Sequence, residues 1–333
     1  MITINSYSVA IFLTIITMLC WGSWGNTQKL ATKNWPFQLF YWDFTFGILI
    51  LSLILGLTIG STGSLGRSFI PDLCQAGIYA IMLALLGGVI FNIANLLLVA
   101  AIDIAGLAVA FPIGIGLALV QGVIVNYMGE TNHGNSVLLF SGVALVALAI
   151  VMDAFAYKKL SANQGTTKKG ILLSLLAGFA MGFFYRFVAD SMFKNNINPE
   201  AGMLSPYSAV FIFSVGILIS NFLWNTLFMY KPVKGEPVKY SMYFTLGTPK
   251  LHLIGILGGV IWCIGMSLNI IASDKAGTAV AYGLGQGATL VSAIWGVFIW
   301  KEFAKAPKGT NILLLAMFLL FIAGLALIIL SKI

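Results

Sequence analysis

The chain of 333 residues is 59% hydrophobic and only 8% charged, with a formal net charge of +8. Soluble domains carry roughly 25% charged residues, so most of this exterior faces something other than water; a soluble enzyme, a disordered chain and a disulfide scaffold are excluded. The bases are scattered through short loops and form no extended basic face, which excludes nucleic acid as a partner and leaves the lipid bilayer.

A membrane-crossing helix needs roughly 20 mostly apolar residues. In chain order the sequence predicts ten: residues 7–30, 37–60, 73–101, 104–127, 135–155, 170–193, 205–230, 251–272, 275–301 and 311–331. The runs are continuously apolar and lack the alternation of barrel strands. The fold class is therefore an all-α polytopic membrane protein with ten transmembrane helices. Residues 1–8 hold no base before the first apolar run, so that run reads as a retained helix rather than a signal peptide. Tight turns at Asp103 and Asp274 part the third span from the fourth and the eighth from the ninth, each Asp being expected to cap the helix that follows. Cys20, Cys74 and Cys263 show no ligand or redox spacing and read as small buried hydrophobes.

The sequence repeats itself at an offset of 171 residues. Leu86-Gly87-Gly88-Val89-Ile90 lies over Leu257-Gly258-Gly259-Val260-Ile261, Asp103 over Asp274, Ala105-Gly106 over Ala276-Gly277, and Gly114 and Gly116 over Gly285 and Gly287. Spans three and four thus map onto eight and nine, so each repeat holds five helices. Five is odd, and the second copy must enter the membrane with opposite orientation. The expected organisation is two inverted five-helix repeats, 1–157 and 170–333, joined by a cytoplasmic linker over 158–169. Inverted repeats are the architecture of alternating-access transporters, with solute held near the midplane between the halves. The glycines of these spans allow either close helix packing or bending. Pro112 and Gly114 in the fourth span and Gly283 and Gly285 in the ninth are the candidate hinges, since Pro112 removes a backbone hydrogen bond.

Thirteen of the eighteen bases lie near the loops after spans one, five, seven and nine, Lys33 and Lys234 among them. The positive-inside rule puts those loops in the cytoplasm and both termini outside an inner (cytoplasmic) membrane.

These residues resemble the drug/metabolite transporter superfamily. Cys20-Trp21-Gly22-Ser23-Trp24 and Ile59-Gly60-Ser61-Thr62-Gly63 are similar to the ureide permease branch. Asn92-Ile93-Ala94-Asn95 with residues 103–116 resembles the rhamnose–proton symporter and the glucose-uptake permeases. The resemblance implies a carrier of small neutral polar solutes, ureides or monosaccharides, with proton coupling.

Polar groups inside a membrane are costly, so each is a candidate site residue. Asn26, Asn92, Asn95, Gln121, Asn269, Tyr282 and Gln286 offer donors and acceptors without charge, which suits hydroxyl and ureide groups; interhelical bonding is the competing role for each. Trp21, Trp24 and Trp262 could stack on a sugar face or a planar ring. Arg186 and Asp190, an i,i+4 pair, and Asp43 are the candidate coupling residues; a structural ion pair and an interfacial cap are their alternatives. His133 and His252 have no partner at metal spacing, no Walker loop is present, and no Gly-rich run follows a strand. No enzyme, metal or cofactor is therefore expected. The expected function is secondary active import of a monosaccharide or ureide with a proton or sodium ion; export of metabolites or drugs on the same fold is the alternative.

Overall fold

The computed structural model describes residues 1–31, 35–105, 107–131, 133–160, 168–233 and 235–333. Lys33, Gly106, Lys234 and the middle of the expected linker, 161–167, lie outside the described residues. Among the described residues, ten helical spans are long and apolar enough to cross a membrane. The first is α1 (Tyr7–Ser23) followed by α2 (Gly25–Ala31), and the second is α3 (Phe37–Leu57). A short α4 (Phe69–Gln75) precedes the third, α5 (Ile78–Ala105). Spans four to seven are α6 (Leu107–Met128), α7 (Ser136–Leu160), α8 (Lys168–Asp190) and α9 (Pro206–Tyr230). After a five-residue α10 (Ser241–Thr245) comes span eight, α11 (Pro249–Ala276). Span nine is broken into α12 (Thr278–Gly285), α13 (Ala288–Ile294) and a π-helical turn, Trp295–Ile299; span ten is α14 (Thr310–Leu330).

Local chemistry sets several boundaries. Ser6, Ser205 and Thr248 accept from the backbone N–H three residues on, and Pro206 and Pro249 open their helices where a missing N–H is harmless. Two expectations are corrected. Residues 73–77 do not belong to the third span: α4 ends there, and the crossing helix starts at Ile78. Asp103 lies inside α5, and Asp274 lies inside α11 and does not cap α12. The eighth span instead ends at Gly277, whose φ of +83° suits glycine. Asp274 accepts from Asn196 at 3.1 Å and pairs with Lys275 at 3.1 Å.

The bundle is held by helix crossings at glycine. A Cβ on Gly88 of α5 would lie 2.1 Å from the Phe213 carbonyl of α9, and one on Gly259 of α11 would lie 2.0 Å from the Phe44 carbonyl of α3. Gly88 and Gly259 are the same position of the repeat, so spans three and seven meet as spans eight and two do. Backbones this close gain dispersion contacts that lipid cannot match. The outward face of α14 is a stripe of exposed Ile312, Leu315, Leu319 and Ile322, a surface for hydrocarbon. The chain is a multi-pass membrane protein.

Candidate functional site

A cavity of about 210 Å³ lies inside the bundle among spans one, three, four, six, eight and nine. Its wall is aromatic: Trp21 and Trp24 from span one, Phe91 from α5, Phe111 from α6, Phe184 from α8 and Trp262 from α11. The Trp21 and Trp262 rings stack at 5.9 Å and 14°, and the Trp21 indole N–H donates to the Trp262 carbonyl at 3.2 Å. Phe91 lies 4.4 Å from Trp262. Asn95, Gln286, Thr289 and Ser292 supply the polar groups, and no ionisable side chain lines the wall. The amide of Asn95 donates to the Tyr41 hydroxyl at 3.1 Å, which fixes its orientation and leaves its oxygen free for a donor.

Of the candidates from sequence, Trp21, Trp24, Asn95, Trp262 and Gln286 thus share one wall. The others do not reach it. Asn92 is fully buried between α5 and α9, donating to Ser220 Oγ at 2.9 Å and to the Ile217 carbonyl at 3.3 Å. Asn26 donates to the Ser23 carbonyl and accepts from the Trp300 indole at 2.6 Å. Gln121 bonds the Phe179 carbonyl at 2.9 Å, and Asn269 bonds the Ala281 carbonyl at 2.9 Å. In each case a backbone carbonyl captures the amide: on another helix for Asn92, Gln121 and Asn269, as interhelical bonding requires, and three residues back for Asn26. Among the hinge candidates, Pro112 sits within an unbroken α6, and the wall of Gly285 carries the edge of Trp21. Gly114 meets the backbone of Gly178, and Gly283 lies within α12. The break in span nine comes after them, at Gln286-Gly287.

A second, larger cavity of about 800 Å³ opens at the end that holds both termini. Arg186 and Asp190 line it, bonded to each other through Nε and Oδ2 at 2.6 Å, together with Glu130, Asp274, Lys275 and Lys332. The two cavities share no residue. Between them Tyr185 and Tyr282 are completely buried with ring centroids 5.4 Å apart. The Tyr282 hydroxyl donates to the carbonyls of Ala118 and Met181, and that of Tyr185 to Asn269. Tyr282 therefore belongs to the septum rather than to the aromatic wall.

The opposite, lysine-rich end is tied at two places. Glu302 pairs with Lys29 and accepts from the Tyr157 hydroxyl at 2.7 Å, and Lys29 lies over the Trp300 ring at 4.3 Å. Asp43 lies outside both cavities, near the start of α3. It binds His252 of α11 at 3.0 Å and accepts from the Tyr243 hydroxyl of α10. Burial and the neighbouring carboxylate push the Tyr243 hydroxyl up, so it stays protonated as the donor. His252 and Tyr243 had no signal in the sequence, being 209 and 200 residues from Asp43.

The comparisons with known proteins agree with one another. Ureide permease 1 of Arabidopsis thaliana is 24% identical over 389 residues, covering 100% of this chain and 99% of that one. The probable glucose uptake protein GlcU of Priestia megaterium is 24% identical over 326 residues, covering 95% and 98%. The putative ribose uptake protein RbsU of Latilactobacillus sakei is 23% identical over 285 residues, covering 84% and 85%. A solved crystal structure matches 97% of this chain and 96% of its own at a TM-score of 0.63 and 16% identity, a likeness of fold alone. The model of the ureide permease family matches residues 40–169 and 163–331, nearly the whole bundle that forms both cavities and the septum, and the chain belongs to that family.

Proposed function

We propose that the protein is a secondary transporter that imports a small neutral polar solute, a monosaccharide or a ureide, with a proton. The observation that carries this reading is the aromatic cavity whose polar groups are all uncharged. Flat rings of Trp21, Trp24 and Trp262 suit the C–H face of a sugar or a planar ureide, while Asn95, Gln286, Thr289 and Ser292 offer donors and acceptors. A charged solute would find no counter-ion there. The relatives named for ureide, glucose and ribose uptake support the same class of cargo.

Alternating access is the mechanism we infer. Two cavities on either side of the Tyr185–Tyr282 layer fit a carrier closed to passage in this conformation, with the larger cavity facing the terminal end. The paired glycine crossings, three with seven and eight with two, support two inverted halves that rock against each other. With the lysine-rich end in the cytoplasm, as the positive-inside rule favours, the larger cavity faces outside.

The test is uptake by vesicles that contain the purified protein. Radiolabelled glucose, ribose, allantoin and uracil are offered with an inside-alkaline pH gradient. Accumulation of at least one, above protein-free vesicles and abolished by a protonophore, is expected. Failure of all four to accumulate under either a proton or a sodium gradient overturns the reading.

A further inference from the structure

Asp43 is 1% exposed, and its partners differ from those of the other buried acids. Asp72 pairs with Arg67, a permanent cation, whereas Asp153, 7% exposed, pairs with no Lys or Arg among the described residues and has no hydrogen-bond partner at Oδ1. Asp43 has only an imidazole. The His252 Nδ1 lies 3.1 and 3.0 Å from its two oxygens, and Tyr243 donates to Oδ1. These are the titratable groups that face it from α10 and α11. On its own helix Tyr41 turns away to Asn95, and no Lys or Arg among the described residues pairs with it.

A buried carboxylate bound to Nδ1–H fixes the tautomer and leaves Nε2 as the basic atom. His252 is 26% exposed at its side chain, on the lysine-rich end. It can therefore gain a proton at Nε2 from water and return it to water, with no other bond made or broken. The pair alternates between a neutral ion pair and a single negative charge. Arg186 beside Asp190 offers no such change, because a guanidinium stays charged.

The pair also touches the block that carries the cavity wall. A Cβ on Gly255 would lie 2.4 Å from the Asp43 Cβ, and one on Gly47 would lie 2.2 Å from the Ile256 carbonyl, so α3 and α11 are in backbone contact beside it. From that block Phe44, next to Asp43, packs 4.8 Å from Trp24 and 6.3 Å from Trp262. Trp262 is seven residues past Gly255, two turns on the same face of α11. A change in charge at Asp43 thus acts on the packing of the two helices that hold the aromatic wall, and Tyr243 extends it to α10.

We propose that Asp43 and His252 are the proton-binding site of the transport cycle, loading and releasing one proton at His252 Nε2, with Tyr243 latching α10 to it. This rests on the transport reading above. The experiment compares wild type with His252→Asn, which keeps a donor for Asp43 and takes up no proton, and with Asp43→Asn. Folding is checked by thermal unfolding and gel filtration. Vesicles are then assayed with glucose and allantoin for counterflow, which needs only solute exchange, and for accumulation under an inside-alkaline gradient. The expected result for a folded variant is counterflow within about twofold of wild type and accumulation reduced at least tenfold. Wild-type accumulation by both variants overturns the assignment. So does loss of counterflow in a folded variant, which makes the pair a structural pivot, and so does wild-type accumulation that follows sodium and ignores pH. A wild type that exchanges neither solute and accumulates none of the four screened overturns the transport reading and the assignment with it. Should one variant fail to fold, the other carries the same expectation.

Discussion

The Glu130 carboxylate accepts a hydrogen bond from the backbone N–H of Ala279 at 2.6 Å, across 149 residues of chain. The same oxygen accepts from Thr278 Oγ1 at 3.1 Å, and Lys332 donates to the other at 2.7 Å. The N-terminus of α12 has no cap of its own, Gly277 having no side chain to offer. Glu130 therefore supplies it from the end of the fourth span, and a carboxylate there also answers the helix dipole. Glu130→Ala is expected to lower stability by about 1–2 kcal/mol, read as a fall in the thermal midpoint in detergent. Glu130→Gln keeps an acceptor and should recover part of it.

Helix crossing at glycine gives a sharper contrast. A Cβ on Gly259 meets the Phe44 backbone, whereas one on Gly116 meets nothing within 4 Å. Gly259→Ala forces α3 and α11 apart, at a cost of about 1–3 kcal/mol, and should broaden or abolish the monodisperse peak in gel filtration. Gly116→Ala should leave it unchanged.

How far the sequence is legible follows from the length scale of each signal. Apolar runs are local, so all ten spans can be read from them. Ala76-Gly77, which part α4 from α5, are as local, but the apolar residues on either side hide the break, so hydropathy alone starts the third span too early. The repeat at 171 residues aligns Gly88 with Gly259, and both stand at close helix crossings. Trp21, Trp24 and Trp262 stand out because a large ring deep in a span is uncommon. Phe111, Phe184 and Thr289 of the same wall do not, since nothing in an apolar helix distinguishes a cavity-facing ring from a lipid-facing one. Asn92 and Asn95 sit three apart, yet the turn between them is enough to aim one at α9 and the other at α3. Asp43, His252 and Tyr243 come from three elements, and only the folded chain joins them.

The two asparagines should accordingly separate in their effects. Trp21→Ala removes half of a stacked pair on the cavity wall and should weaken solute binding by about tenfold, roughly 1.4 kcal/mol, measured by calorimetry with the transported solute. Asn95→Ala should also weaken it. Asn92→Ala loses two bonds between α5 and α9, each worth roughly 0.6–2 kcal/mol, and should lower the thermal midpoint while the affinity of the folded fraction stays the same.

Tyr282 tests the septum. Tyr282→Phe keeps the ring and loses the bonds to Ala118 and Met181, costing about 1 kcal/mol of stability without opening a path. Tyr282→Ala empties the layer between the cavities. A pH-sensitive dye inside vesicles should then report a solute-independent collapse of an imposed proton gradient, several times faster than with wild type or Tyr282→Phe.

That septum also decides where the membrane voltage falls. On the transport reading, water filling the two cavities would bring both compartments close to the Tyr185 and Tyr282 rings, and the potential would drop across little more than the thickness of that layer. A unit charge carried through it would feel about 2.3 kcal/mol for every 100 mV, whereas a neutral solute crosses indifferent to the field. The electrical work of a transport cycle then depends on what charge accompanies the solute past two phenol rings, and much less on how far the solute travels.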